Sequence, residues 1–466
     1  MRDALPHPSV PTPADGRLRI AVLGSGISGM AAAWLLSRSH DVTVFEKEGR
    51  VGGHSHTVTV DLPDRQVAVD TGFIVYNEPC YPNLTALFKH LGVATQGTDM
   101  SLAVSLDNGA LEYAGDTLGT LFAQRRNLYQ PRFWAMLRDL VRFYREAPRH
   151  LDRFAGVSIG NWLAARGYSA AFRDDHLLPM AAAIWSAPAA QLLDYPAEAF
   201  VRFCENHGLL RFTGRPQWRS VMGGSVAYVE KLTAAYKDQI RLARGAASVQ
   251  RRHDGVWIRD THGATERFDA VVIATHADEA LALLSDPSMA ETAWLGAFRY
   301  SRNRVLLHSD VTLMPRRREV WSSWNYLGHR SNATASGSAQ AAVCVSYWMN
   351  RLQHLGDAPP MFVTLNPSRQ PAPELVHFET EYSHPVFDLA TLGAQRVLWN
   401  LQGKQRTWFC GAYFGAGFHE DGLQAGLAVA EQLGGVQRPW RLEQPSARIH
   451  VRPLPLVPMP ASVRIA

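Results

Sequence analysis

The sequence predicts an α/β chain whose principal sheet is parallel and drawn from separate stretches of the 466 residues. Three observations predict it. Leu18 to Leu23 is a short apolar run, suited to a strand buried on both faces. Gly24, Gly26 and Gly29 follow in G-x-G-x-x-G spacing, and the small-residue segment Met30 to Ser37 then reads as a helix. Near the other end, Thr407 to Cys410 reads as a strand and Gly411, Gly415 and Gly417 as a loop. A helix is expected from about Gly422, with Leu423, Leu427, Ala430 and Leu433 on one face.

The glycine spacing has a physical purpose. The first glycine permits the tight turn, the second lets backbone approach a pyrophosphate, and the third lets helix and strand pack closely. Ile27 and Ser28 lie between them, where helix N–H groups face an anion. A second strand, Asp41 to Phe45, ends at Glu46, 22 residues after Gly24. That is where a ribose-binding carboxylate belongs. The middle of the chain supplies further strands at Ile240 to Val249, Gly255 to Arg259 and Arg267 to Thr275. Met222 to Ser225 opens a helix. The spacing predicts a discontinuous, Rossmann-like nucleotide-binding domain over 17–99, 215–282 and 396–436. The inserts 100–214 and 283–395 form an α+β substrate domain. Residues 1–16, with four prolines, read as a disordered leader, and 437–466 as an extended tail rich in proline and arginine.

Composition bounds the function. Apolar residues make up 46% and charged residues 19%, as in ordinary globular chains, which excludes collagen and wholesale disorder. No apolar run is long enough to span a bilayer. The four cysteines, Cys80, Cys204, Cys344 and Cys410, form no CxxC pair. That argues against a disulfide framework or a cysteine-rich metal site and fits a cytoplasmic location, with no metal expected. The absence of a second G-x-G-x-x-G after a strand argues against a separate NAD(P)H domain.

Lys47 to Thr57 continues the first motif with Arg50, the pair Gly52-Gly53, and His54. An acid followed by such a pair resembles the extended signature of the FAD-binding family that includes amine oxidases, protoporphyrinogen oxidase and phytoene desaturases. Most relatives carry arginine where this chain has His54. The resemblance implies a glutathione reductase-like FAD domain with a substrate domain of the amine oxidase type. It implies non-covalent FAD held by Gly24, Gly26, Ile27, Ser28, Gly29, Glu46, Lys47, Arg50, Gly52, Gly53 and His54. By position it adds Val249 at the adenine, Thr275 at a strand end, Gly411 near the phosphates, and Asp421, Gly422 and Leu423 near the flavin.

Other stretches narrow it. Trp218 to Ser225, Trp321 to Tyr326, Val345 to Gln353, Phe362 to Pro367, His384-Pro385 and Phe418 to Gly422 resemble a bacterial group of FAD-binding oxidoreductases. The same domain resembles the N-terminal half of plant cyclopropane fatty-acid synthases. This implies dehydrogenation or desaturation of an apolar substrate such as a methylated or unsaturated phospholipid acyl chain. Trp185, Phe203, Trp324, Tyr347 and Trp348 are candidates to line an apolar pocket. His419 is the first candidate for acid–base or polarising help, with Glu420 and Tyr413 behind it. Two alternatives stand beside this reading: an amine oxidase or isoprenoid desaturase, and a non-enzymatic flavin-bearing partner of a lipid methyltransferase.

Charge is uneven. The chain carries a net +5, and residues 121–154 alone hold eight arginines against three acids. A helix is expected over Arg132 to Glu146, with Arg138, Arg142 and Arg145 grouped on one side. Phe122, Tyr129 and Trp134 add aromatics suited to an interface. The pattern predicts peripheral contact with an anionic membrane, at its inner face. No nucleic-acid module accompanies the charge.

Overall fold

The computed structural model describes residues 16–153, 156–185, 189–330 and 344–453. The predicted leader and the end of the tail lie outside them. Two compact units divide the chain. One takes Met1–Gly53, Leu232–Ala297 and Gly393–Ala466; the other takes His54–Lys231 and Phe298–Leu392.

The first unit is built on a parallel five-stranded sheet. Its central strand β1 (Arg19–Leu23) is buried from Ile20 onward and leads into α1 (Ile27–Leu36). Beyond α1 come β2 (Asp41–Phe45), β3 (Ile240–Arg241), β4 (Ala270–Ile273), β5 (Thr407–Phe409) and α2 (His419–Gly434). The strand order is β3-β2-β1-β4-β5, so chain from three distant regions meets in one sheet. Every residue of α1 is buried, which fits a helix of small and apolar residues covered on all sides.

Two predicted strands divide. Ile240 to Val249 breaks into β3 and Ala246–Arg252, because Ala243 between them adopts a left-handed φ of 50°. Arg267 to Thr275 also breaks. Thr265–Phe268 joins an antiparallel three-stranded sheet with Ala246–Arg252 and Gly255–Asp260, while β4 pairs with β1. Asp269 sits at the break. Its carboxylate accepts the Arg19 N–H at 2.9 Å, and its own N–H donates to the Arg19 carbonyl at 2.8 Å.

The tail departs further from expectation. Residues 437–453 carry no regular element, yet they are packed rather than trailing. Trp440 stacks on Trp34 at 5.9 Å, Ile449 is buried, and Arg438 pairs with Glu431 at 2.7 Å. Unpaired backbone is tolerated here because side chains supply partners: Gln432 donates to the Arg452 carbonyl, and Gln424 accepts the Arg448 N–H.

The second unit centres on a seven-stranded sheet. Its order is Val376–Val386, Arg299–His308, Phe362–Leu365, Cys344–Trp348, Trp324–Gly328, Leu102–Leu106 and Leu111–Ala114. All its pairings are antiparallel except that of Trp324–Gly328 with Leu102–Leu106. The predicted basic helix forms over Pro131–Glu146. Segments 54–99 and 215–231, assigned above to the nucleotide domain, fall in this unit. Strand pairing explains it: Thr57–Asp61 pairs with Gln66–Asp70, and Val75–Asn77 and Thr95–Thr98 flank Trp218–Val221. Conversely, 283–297 stays with the first unit, where Arg251 pairs with Glu291 and, at 3.0 Å, with Asp286.

Candidate cofactor site

The glycines of the first motif are required by close approach. Gly24 has φ +98°, and a Cβ there would lie 3.0 Å from the Ala274 carbonyl oxygen. A Cβ on Gly29 would fall 2.0 Å from the Gly24 carbonyl oxygen. Gly26 differs: nothing lies within 4 Å of the position its Cβ would take, which leaves room for a ligand over the backbone. The second glycine pair joins this loop. Gly52 N–H donates to the Ser25 carbonyl at 3.0 Å, and a Cβ on Gly53 would lie 3.0 Å from the Gly26 Cα.

Glu46 braces the same loop. It is buried, and one carboxylate oxygen accepts from both the N–H and the hydroxyl of Ser25. The other oxygen accepts the Glu48 N–H at 2.9 Å. A carboxylate has about four acceptor positions, so capacity remains for a ribose hydroxyl. No acid pairs with Arg50 among the described residues; its contact is a 3.5 Å approach to the Val51 carbonyl. A cation so placed suits a phosphate. Lys47 is committed elsewhere: its ammonium meets Glu279 at 2.8 Å, and that bond raises its pKa.

The closing motif lands on the first. A Cβ on Gly422 would lie 2.9 Å from Ile27 Cγ2 and 3.0 Å from Ser28 Oγ. One on Gly426 would lie 2.2 Å from the Ser28 carbonyl oxygen. The α2 helix therefore crosses α1 at backbone contact at Gly426 and against side chains at Gly422. Thr275, at the end of β4, lies beside Gly24. Gly411 is covered by Tyr413, whose ring would stand 2.3 Å from a Cβ there. Leu423 is wholly buried in the core of the unit. Val249 is also buried, and its carbonyl accepts the Ser285 N–H at 3.0 Å.

Asp421 is fully buried in the first turn of α2. It accepts the Phe418 N–H at 2.8 Å and pairs with Arg448 Nε at 2.7 Å. Burial raises its pKa, and Arg448 opposes the rise. The sequence offered no sign of Arg448, which lies in the irregular tail. Nor did it point to Gln395, whose amide donates to the carbonyls of Tyr413 at 2.9 Å and Gly415 at 2.6 Å and so fixes the closing loop.

Of the catalytic candidates, His419 opens α2, and burial lowers its pKa to about 3. It is neutral at physiological pH. That suits a hydrogen-bonding or polarising group better than a proton acceptor. Glu420 accepts from Gln424 within the same helix at 2.9 Å. Tyr413 is buried with its ring against Phe414. His54 begins the other unit. There its ring lies tilted against Tyr382 and His384, and its carbonyl accepts the Phe73 N–H at 2.7 Å.

That second unit holds one device the sequence did not reveal. Asp70 is buried and accepts from Thr57 Oγ1, Ser225 N–H and Oγ, and Gln353 Nε2. It thereby fixes the Gly223-Gly224-Ser225 turn that opens the helix Val226–Thr233. Burial pushes its pKa up to about 6.

The fold has many relatives. A putrescine oxidase variant superposes with a TM-score of 0.64 at 16% identity, covering 90% of this chain and 99% of that one. Cyclohexylamine oxidase from Brevibacterium oxydans IH-35A gives 0.62 at 16% identity, over 90% and 99%. A CLA-producing fatty acid isomerase from P. acnes gives 0.60 at 17% identity, over 88% and 97%. At such identities the likeness shows fold alone. In sequence, protoporphyrinogen oxidase 2 of Arabidopsis thaliana is 58% identical over 41 residues, which is 9% of this chain and 8% of that protein. The profile of the flavin-containing amine oxidoreductases matches residues 27–353. A glycine, Gly26, that leaves backbone open for a dinucleotide, a carboxylate with spare acceptor capacity and an arginine with no acid partner among the described residues all fit the cofactor that such a match requires. The chain is an FAD-dependent oxidoreductase and belongs to the flavin-containing amine oxidoreductase family.

Proposed function

We propose that the chain removes hydrogen from an apolar acyl substrate, of the kind found in unsaturated or methylated phospholipids. One observation carries the choice against an amine. Among the described residues, each deeply buried carboxylate of the second unit is already engaged. Glu112 pairs with Arg317, Asp139 with Arg138, and Asp175 with Arg132 and Arg330. Asp70 and Asp310 are filled by N–H and O–H donors. None is left to receive a buried ammonium, and burying that charge unpaired is costly. The same unit is rich in aromatic packing. Trp185 meets Tyr195, Phe200 and Phe203 at 4.9, 5.3 and 4.7 Å, and Trp324 meets Tyr347 at 5.2 Å.

FAD, when bound, supplies a ring that accepts a hydride. The loops at Gly24–Gly29 and Gly52–Gly53 would hold its phosphates and Glu46 its ribose. Attachment is non-covalent: Cys410 is wholly buried, and burial raises its thiol pKa. Acid precipitation should leave a colourless pellet and a yellow supernatant, whereas colour retained by the pellet would exclude this.

His419 then acts as a neutral hydrogen-bonding group that orients or polarises substrate. His419→Ala should keep its FAD and bleach about 10²-fold more slowly with substrate under anaerobic conditions, a loss typical of positioned acid–base or polar assistance. Its titration lies near pH 3, so the wild-type rate should show no His419 limb around neutrality. A variant that loses FAD, or bleaches at the wild-type rate, removes His419 from the reaction. The proposal as a whole is tested by anaerobic titration with acyl lipids, amines and isoprenoids in parallel.

A further inference from the structure

Part of the arginine face that the sequence suggests is engaged within the unit, while Arg145 stays exposed. Arg138 pairs with the buried Asp139 at 3.1 Å. Arg142 pairs with Glu146 at 3.1 Å, donates to the Arg166 carbonyl and lies over the Tyr168 ring. Much of that charge is spent within the unit.

A different surface stands beside it. Leu118 is 76% exposed, Tyr129 86%, Trp134 49% and Leu128 41%. These four side chains fall within 17 residues of chain, 118–134. Trp134 is held at the surface rather than loose: its indole N–H donates to the Leu128 carbonyl at 2.9 Å, and its ring lies 5.7 Å from Phe122. Leu118 lies one helical turn before Phe122, in the short helix Leu118–Leu121. Arg125 and Arg126 are exposed between the apolar residues; Arg126 donates to the Ala110 carbonyl, and neither pairs with an acid among the described residues.

We propose that these exposed residues form a docking surface for an anionic lipid bilayer, with Leu118, Leu128, Tyr129 and Trp134 entering the interface and Arg125 and Arg126 meeting the headgroups. Three features favour a bilayer. Isolated apolar residues on a soluble surface are ordinary, but a cluster this exposed marks an interaction site. Tyrosine and tryptophan suit the boundary between acyl chains and headgroups. A second copy of the chain on the same patch would set Arg125 and Arg126 against their equivalents, whereas an anionic surface attracts them. No helix among the described residues is long and apolar enough to cross a membrane, so the contact is peripheral.

The test uses the FAD-loaded full chain and saturated vesicles, either phosphatidylcholine alone or mixed with phosphatidylglycerol. Saturated chains separate docking from turnover: a protein that docks but never oxidises lipid overturns the substrate proposal and leaves this one intact. In co-sedimentation at low salt the wild type should favour the anionic vesicles. The exposed pair L118S/Y129S should bind at least tenfold more weakly, and R125Q/R126Q should lose most of the preference for anionic over neutral vesicles. Both variants should retain wild-type FAD content, because no substituted residue lies in the first unit. Absence of wild-type binding at low salt, or equal binding by wild type and L118S/Y129S, overturns the proposal. So does a dimer in sedimentation velocity that L118S/Y129S dissociates, since the patch would then serve a second copy.

Discussion

Replacing Arg448 by alanine should destabilise the cofactor-binding unit by about 3–5 kcal/mol, the usual cost of removing one partner from a buried ion pair. Asp421 is fully buried, and Arg448 is its ion-pair partner at 2.7 Å. Without the guanidinium, burial acts on the carboxylate with less opposition, and its pKa climbs further above the ordinary value. The sign of the pH dependence follows. A carboxyl with a raised folded pKa keeps a proton that the unfolded chain releases, so stability falls as pH rises between the two values. The deficit in Arg448→Ala should therefore be larger near neutral pH than at about pH 5. A mere packing loss would not show that dependence. Adding Asp421→Asn should recover much of the loss, because it removes the stranded charge. Urea unfolding at the two pH values measures all of this. A loss below about 1 kcal/mol would mean that the pair is as weak as a surface one.

Gly426→Ala should destabilise the same unit even though alanine is the better helix former. Within a helix the exchange ordinarily gains about 1 kcal/mol. Here the new Cβ would fall 2.2 Å from the Ser28 carbonyl oxygen, which is backbone and cannot swing aside. Forcing extra volume into a packed contact costs about 1–3 kcal/mol and sometimes more. The clash should win, lowering the urea midpoint. It should also weaken FAD retention, because α1 carries Gly29 and begins beside Gly26. Gel filtration followed by flavin quantification reads the second effect. A stabilised variant with full FAD content would show that α1 and α2 do not meet at backbone distance.

Much of the first unit was legible because its signals are local. An apolar run closed by spaced glycines specifies β1 and α1, and Glu46 is found by counting from Gly24. Gly422 was visible too, but not Gly426 or the reason for either, which is a crossing with a helix about 400 residues earlier in the chain. Sequence reasoning failed where a continuous pattern hides a change of partner. Arg267 to Thr275 reads as one buried strand, yet Asp269 bonds to Arg19 at the break between two sheets. It failed again at Arg448, since a proline-rich tail reads as extended and nothing local tells that one arginine reaches a buried acid. Segment 54–99 clusters with the second unit because its strands pair with each other and with Trp218–Val221, not with the parallel sheet. The basic helix shows the same limit: charge count located an arginine-rich region, but only the neighbours Asp139, Glu146 and Tyr168 show which arginines are already engaged.

Anaerobic titration of the purified yellow protein, followed by its visible flavin absorbance, tests the central claim most directly. The account predicts bleaching by phospholipids bearing unsaturated or methylated acyl chains, and no bleaching by saturated lipid or by primary amines. Bleaching by an amine with none by any acyl lipid would contradict it.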